Sequence, residues 1–173
     1  DARYTEPLTV DDLAAAAWAA GAYDAEIVQV PGHELARDEG IRDGSTVEKL
    51  AGLKPLFAED GTVTAANSSS INDGASAVLL GAEGALPTEP LARIIGRAAH
   101  GVDPDRFPTA PIEAANKALA RAGKTWADVD FFELNEAFAS QSLACLAGWP
   151  ELDPANLNIH GGAIAIGHPL GAS

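Results

Sequence analysis

The stretch from His160 to Ser173 constrains this chain more than any other part of it. A small apolar run, Ala163 to Ile166, leads into Gly167-His168-Pro169, with Gly161 and Gly162 before it and Gly171 after it. Glycines at such places let a backbone come close to a second backbone or to a ligand. A proline biases the residue before it towards extended dihedrals, so His168 is aimed rather than loosely tethered. A glycine-lined loop then exposes the ring to whatever lies above it. As an isolated signal His168 also fits a hydrogen-bonded loop histidine.

The rest of the chain supplies alternating elements. The head to Val10 has no clear period and reads as irregular. Asp11 and Asp12 can cap a helix over Leu13 to Ala20, which Gly21 ends. Glu26 to Val30 alternates like a short strand closed by Pro31-Gly32. Arg37 to Gly44 reads as loop, and Ser45 or Thr46 caps a helix carrying Val47, Leu50 and Leu53. Gly61 to Thr64 reads as a strand entering a loop of small polar side chains, Asn67 to Ser70. Ala75 to Leu80 fits strand or helix, and the pattern is taken as helix from Asp73 with strand character at Val78 to Leu80. Leu86-Pro-Thr-Glu-Pro90 interrupts the pattern and marks a boundary. Leu91 to Ala99 resumes as strand.

A helix over Ile112 to Ala122 puts Ile112, Ala115 and Leu119 on one stripe and stops at Gly123. Thr125 and Asp128 form a capping pattern. Phe131 to Leu134 reads as a buried strand. Asn135-Glu136-Ala137 turns into a helix with Phe138, Ser142, Cys145 and Leu146 on one face, and Leu157 to His160 is the next strand. Strands alternating with helices imply an α/β sheet with helices on its faces. In such sheets ligand sites lie where strands end and helices begin, and Asn135, His168 and the serine loop all fall at such ends.

Charge and cysteine content narrow the function. Net charge is −14, from 25 acidic and 11 basic side chains. That disfavours sequence-independent binding to nucleic acid or to an anionic membrane. An anionic ligand has to be met by a local basic spot. One cysteine, Cys145, excludes an internal disulfide and a multi-cysteine zinc site, so no metal centre is expected. No apolar run reaches membrane-spanning length and no signal peptide is visible, so a cytoplasmic location is expected.

Taken singly, the polar candidates have ordinary explanations. Asn135 is a neutral amide at a strand-to-helix turn, where a helix cap is the simplest role. Glu136 reads as a first-turn carboxylate favoured by the helix dipole rather than a catalytic acid. Ser68, Ser69 and Ser70 can saturate a loop backbone. Arg42 reads as a solvated surface arginine, Phe107 as core or pocket, and Cys145 as a buried structural thiol.

Together they are more specific. Gly61-Thr-Val-Thr-Ala-Ala-Asn-Ser-Ser-Ser-Ile-Asn-Asp-Gly74 resembles the serine loop of the thiolase family, Asn135-Glu-Ala-Phe-Ala139 its asparagine motif, and Gly161-Gly-Ala-Ile-Ala-Ile-Gly-His-Pro-Leu-Gly-Ala-Ser173 its histidine motif. The resemblance runs from about Ala14 onward. It implies a thiolase-like layered αβαβα fold, here incomplete: a loop and helical excursion over 1–58, the end of a first half over 59–88, and most of a second half over 90–173.

The activity so implied exchanges acyl groups between coenzyme A and 3-ketoacyl-coenzyme A. In the family a nucleophilic cysteine takes the acyl group as a thioester. The residue like His168 activates it and helps stabilise the oxyanion, the residue like Asn135 holds a water in that oxyanion site, and a second cysteine moves the α-carbon proton. Coenzyme A is expected as a substrate, with no permanently bound cofactor. Ser69 aligns with the serine at the pantetheine arm, Arg42 with the arginine beside the adenine nucleotide, and Phe107 and Phe138 with the acyl pocket. The family commonly has glycine where Ala66 and Ser70 stand, and the added side chains are expected to narrow that loop.

Both family cysteines fall outside residues 1–173, and with no methionine and an abrupt end the sequence is expected to be a piece of a longer chain, inactive alone. The wording Phe132-Glu-Leu-Asn-Glu-Ala-Phe-Ala-Ser-Gln141 favours a degradative or β-ketoadipyl type. The alternatives are a biosynthetic acetyl-coenzyme A acetyltransferase and a non-catalytic binding or assembly piece. The full-length parent is expected to be a homo-oligomer.

Overall fold

The computed structural model describes residues 8–172. The described residues form five α-helices: α1 (Leu8–Ala19), α2 (Val47–Ala51), α3 (Ala110–Ala122), α4 (Ala139–Gly148) and α5 (Ala163–Ile166). Short 3-10 turns at Pro104–Thr109, Trp126–Asp128 and Pro154–Asn156 connect them. No helix among the described residues is long and apolar enough to cross a membrane.

Helix α1 begins earlier than the capping signal suggested. Asp11 and Asp12 lie inside it, and Val10, Ala14 and Ala17 are buried at helical spacing. Residues 1–7 of the head expected to be irregular lie outside the described residues. In α2, the Thr46 side chain accepts from the Lys49 backbone N–H at 3.3 Å, as a helix cap does. That helix stops at Ala51, so Leu53 lies beyond it and faces solvent. Helix α3 keeps its expected stripe: Ile112, Ala115 and Leu119 pack on the core, and the helix ends at Gly123. The carboxylate of Asp128 accepts from the Thr125 backbone N–H at 2.9 Å and holds the turn before the next segment.

The expected strands are the main departure. Among the described residues no ladder forms. Two single bridges stand in for the sheet: Ser68 with Phe138, antiparallel, and Phe132 with Leu157, parallel. Glu26–Val30, Gly61–Thr64 and Leu91–Ala99 carry no ladder pairing, and Asp73–Leu80 is neither helix nor strand. Val78 and Leu79 are each 80% exposed. A strand persists only when a second strand takes up its N–H and C=O groups in register. Among the described residues these segments are paired with no second strand, only with single bonds such as that from the Leu56 N–H to the Val63 carbonyl. Phe131–Leu134 alternates instead of being buried throughout, with Phe131 exposed and Leu134 inside. Leu157–His160 bends after a single bridge because Asn158 adopts φ of 46°, a left-handed conformation that asparagine tolerates better than most side chains.

Two apolar clusters hold the molecule together. The first joins α1 to α5 through Val10, Ala14, Ile164 and Ala165, with Ile41 and Ala139. The second gathers Trp126, Leu134, Cys145, Trp149, Leu152 and Leu157 beneath α3 and α4. The Trp149 ring lies 5.0 Å from that of Trp126 and 4.9 Å from that of Phe132, and its Nε1–H donates to the Ile112 carbonyl at 3.1 Å.

Candidate active site

The serine loop is tied on both sides by backbone hydrogen bonds. Towards the asparagine turn, the Ser69 N–H donates to the Ala137 carbonyl at 3.0 Å and the Ala139 N–H donates to the Asn67 carbonyl at 2.9 Å. Towards the histidine loop, the His168 N–H donates to the Ser70 carbonyl at 2.8 Å. Three motifs far apart in sequence thus meet along one short segment. The segment itself is stiffened from within: the Asn67 side chain accepts from the Thr64 N–H and donates to the Thr62 carbonyl. The Ser68 hydroxyl donates to the Thr64 carbonyl at 2.7 Å.

Beyond the serines the segment lies flat against the histidine loop. Gly167 has φ of 92° and faces the Asn72 amide so closely that a Cβ there would overlap it. The position therefore requires glycine both for its dihedral and for its contact. The Ser76 hydroxyl donates to the Ala172 carbonyl at 2.8 Å. The Ser70 hydroxyl pairs with the Asn72 amide at 2.7 Å, so its extra side chain is held along the loop.

Asn135 is not the cap of the next helix. Helix α4 starts at Ala139 with Phe138 in the cap position, and Asn135 sits ahead of it, exposed. Its amide is available for another task. Glu136 is also placed differently from the expectation of a first-turn carboxylate of that helix. It is 2% exposed and its carboxylate accepts from the Asn158 amide at 2.9 Å and faces the Ile164 N–H at 3.4 Å. Asn158, read in the sequence only as part of a strand, was not singled out. Nor was Asn72 as an individual residue, although it lies within the serine motif.

Arg42 is exposed, but its guanidinium donates to the Ala65 carbonyl at 3.2 Å, at the entrance to the serine loop. Its backbone N–H donates to Asp11 at 3.3 Å. Burial raises the Asp11 carboxyl above the ordinary range, and Arg42 opposes that shift through the same hydrogen bond and its charge. Phe138 is half-buried, paired across the bridge with Ser68, and its ring stands edge-on to Phe57 at 6.0 Å. Phe107 differs. It sits on the Pro104–Thr109 turn, 67% exposed, and no ring pair among the described residues joins it to Phe138.

Cys145 is fully buried in the second cluster. Burial pushes its thiol pKa up, against a weaker pull from Gln141, so the thiolate that a nucleophile needs is disfavoured. With a maleimide or disulfide reagent at pH 8, Cys145 should stay unmodified in the folded protein, as read by peptide mapping, and react once denaturant is added. Prompt labelling of the native protein would contradict the burial. Among the described residues, no group of three or more His, Cys, Asp or Glu side chains is placed to hold a metal ion.

Comparison with known proteins gives concordant matches over most of the chain. The family description "Thiolase, N-terminal domain" matches residues 9–84 and "Thiolase, C-terminal domain" matches residues 88–173. A "Probable acetyl-CoA acyltransferase" of Staphylococcus aureus (strain MRSA252) is 49% identical over 163 residues, which is 88% of this chain and 41% of that protein. The chain thus spans about two fifths of the length of the curated relatives it matches. Among solved structures, human mitochondrial 3-ketoacyl-CoA thiolase in complex with CoA superposes with a TM-score of 0.85 and 39% identity, over 96% of this chain and 43% of that one. The Bacillus anthracis acetyl-CoA acetyltransferase superposes with a TM-score of 0.84 and 38% identity, over 96% and 44%. The path of this chain, including its unpaired segments, is that of an incomplete thiolase-like fold.

Proposed function

The chain belongs to the thiolase family, and from that premise we propose that its full-length protein exchanges acyl groups between coenzyme A and 3-ketoacyl-coenzyme A. The observation that carries this is the serine loop bonded to both the Ala137 carbonyl and the His168 N–H, with Asn135 left free of helix capping. A histidine loop and an asparagine turn, each tied by backbone bonds to one serine loop, suit acyl transfer, which needs a base for the thiol and donors for the developing oxyanion.

His168 takes the proton of the attacking cysteine thiol. The thiolate sulfur bonds to the 3-keto (Cβ) carbonyl carbon, and the Cα–Cβ bond breaks as that carbonyl re-forms. Its electron pair leaves on the α-carbon of acetyl-coenzyme A, which a second cysteine protonates; that cysteine regains its proton from the coenzyme A thiol of the next step. Coenzyme A thiol then attacks the enzyme thioester and releases the shortened acyl-coenzyme A, returning the cysteine. The oxyanion of each addition rests on His168 and a water held by Asn135. Neither cysteine is Cys145, whose thiol is buried and disfavoured as thiolate; both roles belong to other parts of the full-length protein, and residues 1–173 alone are inactive. Ser69 meets the pantetheine arm, Arg42 the nucleotide phosphates or adenine, and Phe138 and Phe107 the acyl chain. The substrate is an acyl-coenzyme A of degradative or β-ketoadipyl type, the protein works in the cytoplasm as a homo-oligomer, and residues 1–58, 59–88 and 90–173 form its structural parts. The motif Phe132 to Gln141 supports that type.

Coenzyme A-dependent thiolysis of a 3-ketoacyl-coenzyme A by the full-length protein tests the proposal, and absence of turnover would end it. In the same assay Arg42→Ala should raise KM for coenzyme A by about tenfold at low salt, the scale of one charge-assisted contact. The gap should narrow as salt screens the charge. An unchanged KM would remove Arg42 from the nucleotide site.

A further inference from the structure

Glu136 is the one carboxylate among the buried described residues. Burying a charge without partners is costly, so its surroundings should show why it is kept. Its Oε1 accepts from Asn158 Nδ2 at 2.9 Å, and its Oε2 faces the Ile164 N–H, in the first turn of α5, at 3.4 Å. Asn158 in turn grips Leu134 twice: Oδ1 accepts from its N–H at 2.8 Å and Nδ2 donates to its carbonyl at 2.9 Å. The backbone on one side of Asn135 is therefore held by Asn158, and the residue on its other side is Glu136 itself. From Glu136 the network passes to α5, which runs directly into Gly167 and His168. Gly162 packs so closely on the carboxylate that a Cβ there would overlap Oε2. The space fits this side chain and little else.

We propose that Glu136 is a positioning residue of the acyl-transfer site, fixing the Asn135 turn to the helix that leads into the His168 loop; the inference rests on the thiolase reading above. It does not touch substrate, because it is buried beneath the turn. Its carboxylate acts through two acceptors held at a set separation, one for each wall of the site. A neutral amide cannot reproduce this: glutamine would keep one acceptor and point an NH2 group at a second donor, either Asn158 Nδ2 or the Ile164 N–H. Aspartate would keep the charge but stop one methylene short.

The test compares full-length wild type, Glu136→Gln and Glu136→Asp, each alone and with Asn135→Ala. Displacement of reacting groups by about an ångström costs on the order of 10²-fold, so Glu136→Gln should lower kcat by roughly 10- to 10²-fold with KM for coenzyme A within about twofold. In the Asn135→Ala background the same change should cost much less, since the position it guards is already lost. A general loss of folding would multiply through both backgrounds. Hydrogen exchange supplies a reading independent of activity: amides of 163–168 should exchange faster in Glu136→Gln while those of α3 stay unchanged. If Glu136→Gln does not fold, Glu136→Asp gives the same three readings. Wild type without thiolysis would sink the acyl-transfer reading, and exchange would still decide the link between the two walls. Unchanged kcat, full-sized loss beside Asn135→Ala, or unaltered exchange at 163–168 would each overturn the role.

Discussion

Replacing His168 with alanine in the full-length protein is expected to lower turnover by roughly 10³-fold or more, and Asn135→Ala by roughly 10²-fold, the scale of a lost oxyanion donor. The histidine change should be the larger because, in the proposed mechanism, the same ring also supplies the base that makes the cysteine a thiolate. The geometry adds a further expectation. His168 is bonded through its backbone to Ser70, and the neighbouring Ser69 to Ala137, so the backbones beside His168 and Asn135 are tied to one loop, as the proposed shared oxyanion site requires. Their losses should then fail to multiply, as for residues that act as a unit. The measurement is kcat for wild type, both singles and the double variant. A double variant slower by the full product of the two factors would assign the residues to separate sites. Backbone tethering of His168 means that its alanine variant should keep the loop in place, so melting temperatures of all four proteins should agree closely.

The largest effect on stability is expected at Trp149. The ring is 1% exposed and touches Trp126 and Phe132 as well as α3, through the bond from Nε1 to the Ile112 carbonyl. Truncating a buried aromatic to alanine costs about 3–5 kcal/mol, from lost transfer energy plus the cavity left behind. Here the Ile112 carbonyl also loses a donor. That loss is a large fraction of the roughly 5–15 kcal/mol by which a domain is stable, so Trp149→Ala should shift the urea midpoint steeply or prevent folding. Phe131→Ala is the contrast, since that ring is largely exposed and its removal should change stability little. Equal midpoints for Trp149→Ala and wild type would mean that the second cluster does not hold the fold.

The sequence made the helical parts legible because their signals are local. Ile112, Ala115 and Leu119 repeat at helical spacing, Thr46 caps the helix that starts at Val47, and Asp128 reaches back to Thr125. The three motifs were legible for a different reason: small residues and one histidine stand in an order that few sequences share. Pairing could not be read. Ala75–Leu80 and Leu91–Ala99 have strand composition, but a strand is a statement about two segments, and period alone does not name the second. The local reading of Asn135 and Glu136 as a cap and a first-turn acid fails, because a polar pair at a strand-to-helix turn carries that signature until the helix is seen to begin at Ala139. Asn158 left no trace in the alternation around it. Its left-handed backbone and doubled grip on Leu134 become visible only when residues 24 positions apart are brought together.

The hydrogen bond from the His168 N–H to the Ser70 carbonyl joins residues that the ribosome makes far apart in time. Contacts of such long separation carry a loop-closure cost and tend to form late. Helices α3 and α4 can pack around Trp149 from neighbouring sequence, whereas the serine loop waits for the histidine motif before its second edge is closed. A nascent chain that has emerged only as far as Asn158 would thus hold a folded second cluster and a serine loop with one edge still open. The proposed chemistry would then become available only late in folding, once the loop that carries His168 closes against Ser70.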